Sequence, residues 1–456
     1  MVRLHPTREN ERVGLVLTRR ELLARLAVAT GASSLGSLAL VLPGCGGGNS
    51  SLPPPPPGDG YTGTDDHLLE EIEKAGFLFF WEQADSTTGQ VKDRALAEGN
   101  DTRAVSSIAA TGFGLTALCI GAQRGYQAGA DIIARVRTTL NFLLNQMQPQ
   151  GQNGFFYHFV DMTTGGRAFN SEVSSIDTAI LLCGLLMCRE YFSQDAQIPG
   201  LATQIYGNVN FNWMLNGGQT LSMGWTPESG FLANRWDTYS ELMMLYLLAM
   251  SSPNSPIPAS SWAAWSRPAF TYQGMTYISS GAPLFTHQYS HAWFDFRNKR
   301  DAFADYFLNS STATMEHRLF CISLAPQFSD YSSDLWGISS SDSAKGYVAW
   351  GGPPALGPID GSVVPCATAG SLPFVPTQTI HVLRWVRGHY PRAWQRYGYV
   401  DAFNPLTGWY DTDVIGIDVG ISVLMAENQR TQFVWNTFMK NPEVQSAMQM
   451  AGFHSA

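Results

Sequence analysis

Charge is scarce in this chain of 456 residues: Asp, Glu, Lys and Arg together make up 14%, and the formal balance is −9. An acidic chain lacks the basic stripe by which a nucleic-acid partner is held. No CxxC pair and no His/Cys ligand spacing occurs, which removes the usual zinc and redox-thiol motifs. Glycines spaced as GxGxxG are missing, so nothing points to a nucleotide. Long apolar runs are wanting too. The stretch "LAVATGASSLGSLALVL" falls short of the roughly 20 apolar residues that span a bilayer.

What that stretch resembles is an export signal. Six arginines precede it or adjoin it in the first 25 residues, among them the pair Arg19 and Arg20, which is similar to a twin-arginine signal. "LPGC" at its end resembles a bacterial lipobox, with cleavage before Cys45 and a lipid on that cysteine. An ordinary cleaved signal with an incidental cysteine is the alternative. Gly46 stands where an inner-membrane retention signal would have Asp, which favours the outer membrane. The expected organisation is an export signal over 1–44, a lipidated Cys45 with a Gly/Ser/Pro linker over 45–64, and one domain over 65–456. The destination is then the periplasm or outer membrane, with the lipid as sole membrane contact. Removing residues 1–45, with six arginines and three glutamates, moves the charge from −9 to −12. Of the five remaining cysteines, four (Cys119, Cys183, Cys188 and Cys321) fall in apolar helical runs and are expected as buried free thiols.

The body reads as helices of two kinds. Helices are expected over 65–82, 104–123, 129–147, 173–192, 198–213, 236–250, 258–265, 300–323, 376–391, 417–427, 430–439 and 441–450. "SIAATGFGLTALCIGA", "IDTAILLCGLLMC" and "ELMMLYLLAM" are apolar almost all round, which marks helices buried on every side. "DIIARVRTTLNFLLNQM" instead gathers Ile132, Ile133, Val136, Leu140 and Leu143 on one face. Short turns alternate with long Gly, Pro, Trp and Asn-rich loops at 83–103, 148–172, 214–235, 266–299, 324–375 and 392–416. This rhythm predicts an all-α fold: an (α/α)6 toroid of six helical hairpins, buried helices inside, with the long loops on one face. Loops of such length are usually functional.

Acids cluster where the loops meet the inner helices. Glu172 and Asp177 open "NSEVSSIDTAI", and Asp237 and Glu241 open "NRWDTYSELMM". Asp295 and Arg297 lie in "HQYSHAWFDFRNKRD", and Asp413 and Asp418 in "DTDVIGIDVGI". Any one of these can be explained by capping and the helix dipole. The set is expected to meet at one rim, among Trp225, Trp236, Trp293, Trp350 and Trp409. Paired carboxyls amid flat aromatic faces suit a glycosidase, which needs one protonated and one ionised acid. Asp237 and Glu241, four apart, are expected on one helix face. His287, Tyr289, His291 and Arg297 are candidates for binding sugar hydroxyls, or for structural hydrogen bonds. The same group would serve a polysaccharide lyase, whose anionic substrates fit an acidic body poorly.

The strings "SIAATGFGLTAL", "GFFYHFVDMTTGGR", "SEVSSIDTAILLCGLL", "GWTPESGFLANRWDTYSELMMLYLLA", "HQYSHAWFDFR", "GYVAWGGPP", "RYGYVDAFNP" and "GIDVGISVLMAENQRT" resemble, in order, the bacterial glycoamylase-like family, whose characterised members are endo-β-1,2-glucanases of glycoside hydrolase family 144. The resemblance covers roughly residues 65–455. It implies an (α/α)6 barrel, no cofactor or metal, and hydrolysis of β-1,2-glucan with inversion to sophorose and short β-1,2-glucooligosaccharides. It places the general acid on Glu241 and a second required acid on Glu172, with Asp177 beside it. The chain departs from the family at "GRAFN", where Phe169 and Asn170 replace expected acids. A non-catalytic glycan-binding lipoprotein and a transglycosylase on the same barrel are the other readings.

Overall fold

The computed structural model describes residues 58–147, 151–352 and 359–456; the export signal, Cys45 and most of the linker lie outside them. The alternation expected from the sequence is present. Six inner segments close into a ring: α2 (Ile108–Arg124), α4 (Ser175–Tyr191), α6 (Met243–Met250), the 3₁₀ turns Leu284–His287 and Tyr289–Ala292, α8 (Pro365–Ala369) and α10 (Gly416–Arg430). Around the ring α2 touches α4, α4 touches α6 and α8 touches α10, and α10 packs back on α2. At the irregular segment the ring is joined by side chains. Ser290 Oγ donates to Glu241 O (2.7 Å) and accepts from Met244 N (3.0 Å), while Gln288 Nε2 donates to Ala367 O (2.8 Å). Outside lie α1 (Asp65–Glu82), α3 (Gly129–Asn141), α5 (Ile198–Asn208), the short helix Ser261–Ala264, α7 (Tyr306–Ser323) and α9 (Pro376–His389).

Burial follows the two helix types. In α4 every residue from Ser175 to Arg189 is buried, whereas α3 buries only Ile132, Val136, Thr139 and Leu140. The wall is packed most closely where α2 crosses α4. A Cβ on Gly112 would lie 2.5 Å from Ile180 O, and one on Gly184 would lie 2.1 Å from Gly112 O, so glycine is what allows the two backbones to touch. Among the described residues the four cysteines expected as buried free thiols are so, and Cys366 with them.

One end of the ring is shut. Helix α11 (Phe433–Phe438) packs against α2, α4 and α10, and Trp435 Nε1 donates to His291 O (2.7 Å). The other end, at the N-termini of the inner helices, carries the long loops. These are stitched into short antiparallel ribbons: β1 (Arg94–Leu96) with β7 (Asp413–Ile415), β2 (Val105–Ser107) with β3 (Phe159–Asp161), and β4 (Val173–Ser174) with β5 (Gly224–Thr226), which pairs with β6 (Gly230–Phe231). Strands β2, β4 and β7 each run directly into an inner helix.

Three expectations are corrected. The helix expected over 236–250 begins only at Met243, because residues 234–238 are drawn into backbone bonds with neighbouring loops: Met223 N to Asn234 O (3.0 Å), Trp236 N to Leu221 O (2.8 Å) and Ser266 N to Asp237 O (2.7 Å). The loop expected over 266–299 contains an inner wall segment, and that expected over 324–375 contains α8.

Candidate active site

The rim is built around His158. Its backbone N–H donates to Glu172 O (2.9 Å), which sets the "YHFV" segment beside the entry to α4. Its ring then stands between two carboxylates, with Nδ1 3.4 Å from Glu172 Oε1 and Nε2 3.7 Å from Asp177 Oδ2. Burial opposes a charge on this imidazole, but the charges of Asp177, then Glu172 and Asp93, outweigh burial and raise its pKa to about 9. At neutral pH the trio therefore carries an imidazolium between two acids.

Local structure fixes both acids. Ser174 caps α4: its Oγ accepts from Asp177 N (3.3 Å) and donates to Asp177 Oδ2 (2.5 Å). Glu172 lies against Gly224, where an added Cβ would sit 3.0 Å from Glu172 Cγ and 2.5 Å from Val173 O. Glu241 occupies the turn before α6, the next inner helix, and is fully buried. The two approaches are tied together by Trp236, whose Nε1 donates to Ser175 Oγ (2.8 Å). Tyr239 OH pairs with His287 Nδ1 (3.0 Å), bracing the segment before Glu241. Asp237, by contrast, is exposed and shares no helix face with Glu241, since α6 starts beyond both.

A second acid group, not singled out in the sequence, completes the rim. Asp342, Asp401 and Asp411 offer carboxylate oxygens within 4.8 Å of one another, a donor set that could hold a cation. Arg94 already supplies positive charge there, with Nη1 2.6 Å from Asp342 Oδ2, and Asp401 Oδ2 accepts from Asp342 N (2.7 Å). Burial, and then the charges of Asp418, Asp342 and Asp411, push the Asp401 carboxyl well above the usual range. Burial, with Asp342 next, raises Asp411 to about 7. Asp413 is bound by Arg103 (Nη2 to Oδ1, 2.9 Å), and Tyr289 OH donates to Asp418 Oδ1 (3.4 Å). Aspartates 342, 401 and 411 are remote in sequence, and a lone Asp in "GYVDAFNP" carries no pattern. His158 sits in the stretch 148–172, which reads from the sequence only as a long loop.

The other expected residues divide by position. Trp225 is half-buried in β5 against Trp213 (6.0 Å between rings), and Trp409 is half-buried in a ribbon with Phe403–Asn404. Trp236, Trp293 and Trp350 are buried, the last two donating to Thr116 Oγ1 (2.9 Å) and Ser341 Oγ (3.0 Å), so they present no face to solvent. His287 and His291 are buried and held neutral: burial, then a neighbouring histidine in each case, depresses both to about 3. Asp295 and Arg297 do not reach the rim. They pair with each other (2.9 Å) at the shut end, where the guanidinium lies over Trp435 (4.1 Å). The irregular inner segment turns the chain towards α11 by residue 295, which the sequence pattern did not indicate.

Comparison with known proteins agrees with this architecture. Residues 233–442 match the family model described as putative glucoamylase. An exo β-1,2-glucooligosaccharide sophorohydrolase (non-reducing end) of Parabacteroides distasonis is 28% identical over 428 residues, covering 85% of this chain; the chain spans 58% of that relative's length. An endo-β-1,2-glucanase from Chitinophaga pinensis, solved with sophorotriose and glucose, superimposes with TM-score 0.80 at 28% identity, covering 86% of this chain and 99% of that one. A putative glucoamylase from Bacteroides uniformis gives TM-score 0.80 at 27% identity, covering 86% and 98%. The fold is the (α/α)6 toroid of these proteins.

Proposed function

We propose that this glycoamylase-like chain is a glycoside hydrolase that cleaves β-1,2-glucan. The observation that carries the reading is the placement of Glu172 and Glu241 at the mouths of adjacent inner helices, braced together through Trp236 and Ser175. Relatives with the same barrel are β-1,2-glucan-cleaving enzymes by name, one exo-acting and one endo-acting.

In the proposed step Glu241 is the general acid. It gives its proton to the glycosidic oxygen as the bond from that oxygen to the anomeric carbon breaks. Water attacks the opposite face of that carbon, and Glu172, oriented by His158 and assisted by Asp177, takes the water proton. The product sugar has inverted configuration, and the products are sophorose and short β-1,2-glucooligosaccharides. Asp401, buried and prone to hold a proton, is the second candidate for the acid.

The test incubates the purified protein with linear and cyclic β-1,2-glucan and with β-1,3, β-1,4 and α-1,4 glucans. Products from the β-1,2 substrates alone are expected. Cleavage of another linkage only, or binding with no turnover, overturns the reading. We also propose that the body is exported and tethered through lipid on Cys45; radiolabelled fatty acid that appears equally on Cys45→Ala overturns that tether.

A further inference from the structure

Large apolar side chains are normally found exposed singly without meaning, but Phe169 stands apart. Among the described residues it is the most exposed large hydrophobic, at 63%, ahead of Leu308 at 62%. Unlike the other exposed large hydrophobics, it occupies left-handed backbone (φ 53°), followed by Asn170 at φ 50°. A bulky residue there is disfavoured in folding both by its backbone and by its contact with water.

The surrounding bonds nevertheless hold it in place. Arg167 Nε donates to Ser171 O (2.5 Å) and its Nη2 to Asn170 O (2.6 Å), while Nη1 pairs with Glu228 Oε1 (2.6 Å) in the turn between β5 and β6. Ala168 N donates to Phe159 O (2.9 Å), and Ser171 Oγ donates to the same oxygen (3.1 Å). The loop is thus clamped on both flanks of Phe169, leaving the ring to project.

Where it projects is informative. Phe169 meets Phe159 edge to face (5.8 Å, 74°), and Phe159 stacks on His158 (3.8 Å, 17°), the imidazole that stands between Glu172 and Asp177. One aromatic series therefore runs from the acids to an exposed ring three residues before Glu172.

We infer that Phe169 is a sugar-stacking platform at the edge of the acid centre, taking the apolar face of a glucose unit of the bound chain next to the cleavage point. This rests on the glucan-hydrolase reading above. The flat C–H face of a pyranose packs on an aromatic ring without needing a hydrogen bond, and a clamped loop loses little entropy on binding.

The test measures kcat and KM on linear β-1,2-glucan for wild type, Phe169→Ala, Phe169→Leu and Phe169→Trp, with melting curves for each. Expected is a rise in KM of about five- to tenfold for Phe169→Ala and for Phe169→Leu. Expected too are kcat within about twofold of wild type and recovery of KM in Phe169→Trp. An unchanged KM in Phe169→Ala overturns the platform alone. So does a fall in kcat at fixed KM in all three variants, which would mean that the loop only positions Glu172. A wild type that turns over no β-1,2-glucan overturns the hydrolase reading and the platform with it, before any variant is compared.

Discussion

The two ends of the barrel spend their charges differently. At the shut end cations and acids are matched across helices: Arg124 makes two bonds to Glu427 (2.9 and 2.7 Å), and Arg430 reaches Glu73 (2.5 Å) and Asp66 (2.8 Å). These arginines sit at the C-terminal ends of α2 and α10, where the helix dipole favours them. At the open rim the helix N-termini gather acids instead, and the cations do not match them in number. There burial and neighbouring acids push Asp401 above the usual carboxyl range and Asp411 to about 7, as burial pushes Glu73 up at the shut end. At His158 burial is outweighed by the flanking acids, which raise it to about 9. Charge at one end closes the ring, and under the proposed function charge at the other serves proton transfer.

The comparison breaks most visibly at Glu241. Glu241→Gln is expected to lower kcat by about 10²–10⁴-fold with the melting temperature unchanged, as a general acid's loss does; Asp401→Asn in the same assay decides which group is the acid. Next is Glu427→Gln at the shut end, which takes two charge-assisted bonds from Arg124 and leaves it Glu73 at 3.8 Å, and is expected to cost about 2 kcal/mol in denaturant unfolding while activity per folded molecule stays the same.

Titration separates the ends more finely. The pKa of His158 is about 9 rather than 6.5, so its contribution to stability is complete below pH 6.5 and is lost as pH rises through 9. Glu73, raised to about 8 from 4.5 by burial and then by the charge of Glu427, likewise costs the folded protein stability as pH climbs from 4.5 through 8. Urea midpoints against pH are expected to show His158→Gln less stable than wild type at pH 6, and Glu73→Gln more stable than wild type above pH 8. Smallest is Asp295→Asn, at the shut end, for which kcat and KM are expected within about twofold of wild type.

Much of this was legible in the chain. All-round apolar runs marked α2, α4 and α6 as inner, and the one-sided stripe marked α3 as outer, because burial dictates those patterns. The inner segment Leu284–Ala292 was not legible. It is held by side-chain bonds from Gln288 and Ser290 rather than by helical periodicity, so its sequence reads as loop. The same limit explains the late start of α6: Asp237 and Glu241 have helical spacing, but backbone pairing with distant loops claims the residues between. In the rim, Glu172 and Asp177 were visible from their place at the start of α4, while Asp342, Asp401 and Asp411 meet only once the ring has closed.

The unequal wall has a bearing on motion. Helices α2 and α4, touching backbone to backbone at Gly112 and Gly184, are expected to form a stretch whose amide protons exchange only by unfolding of the whole body. Across the ring stand two 3₁₀ turns and the five-residue α8, with few consecutive backbone bonds to cooperate. In deuterium exchange the barrel should therefore behave as an anvil and a spring, the first slow, the second quick. Glu172 is anchored to the anvil, and Glu241 sits where it meets the spring.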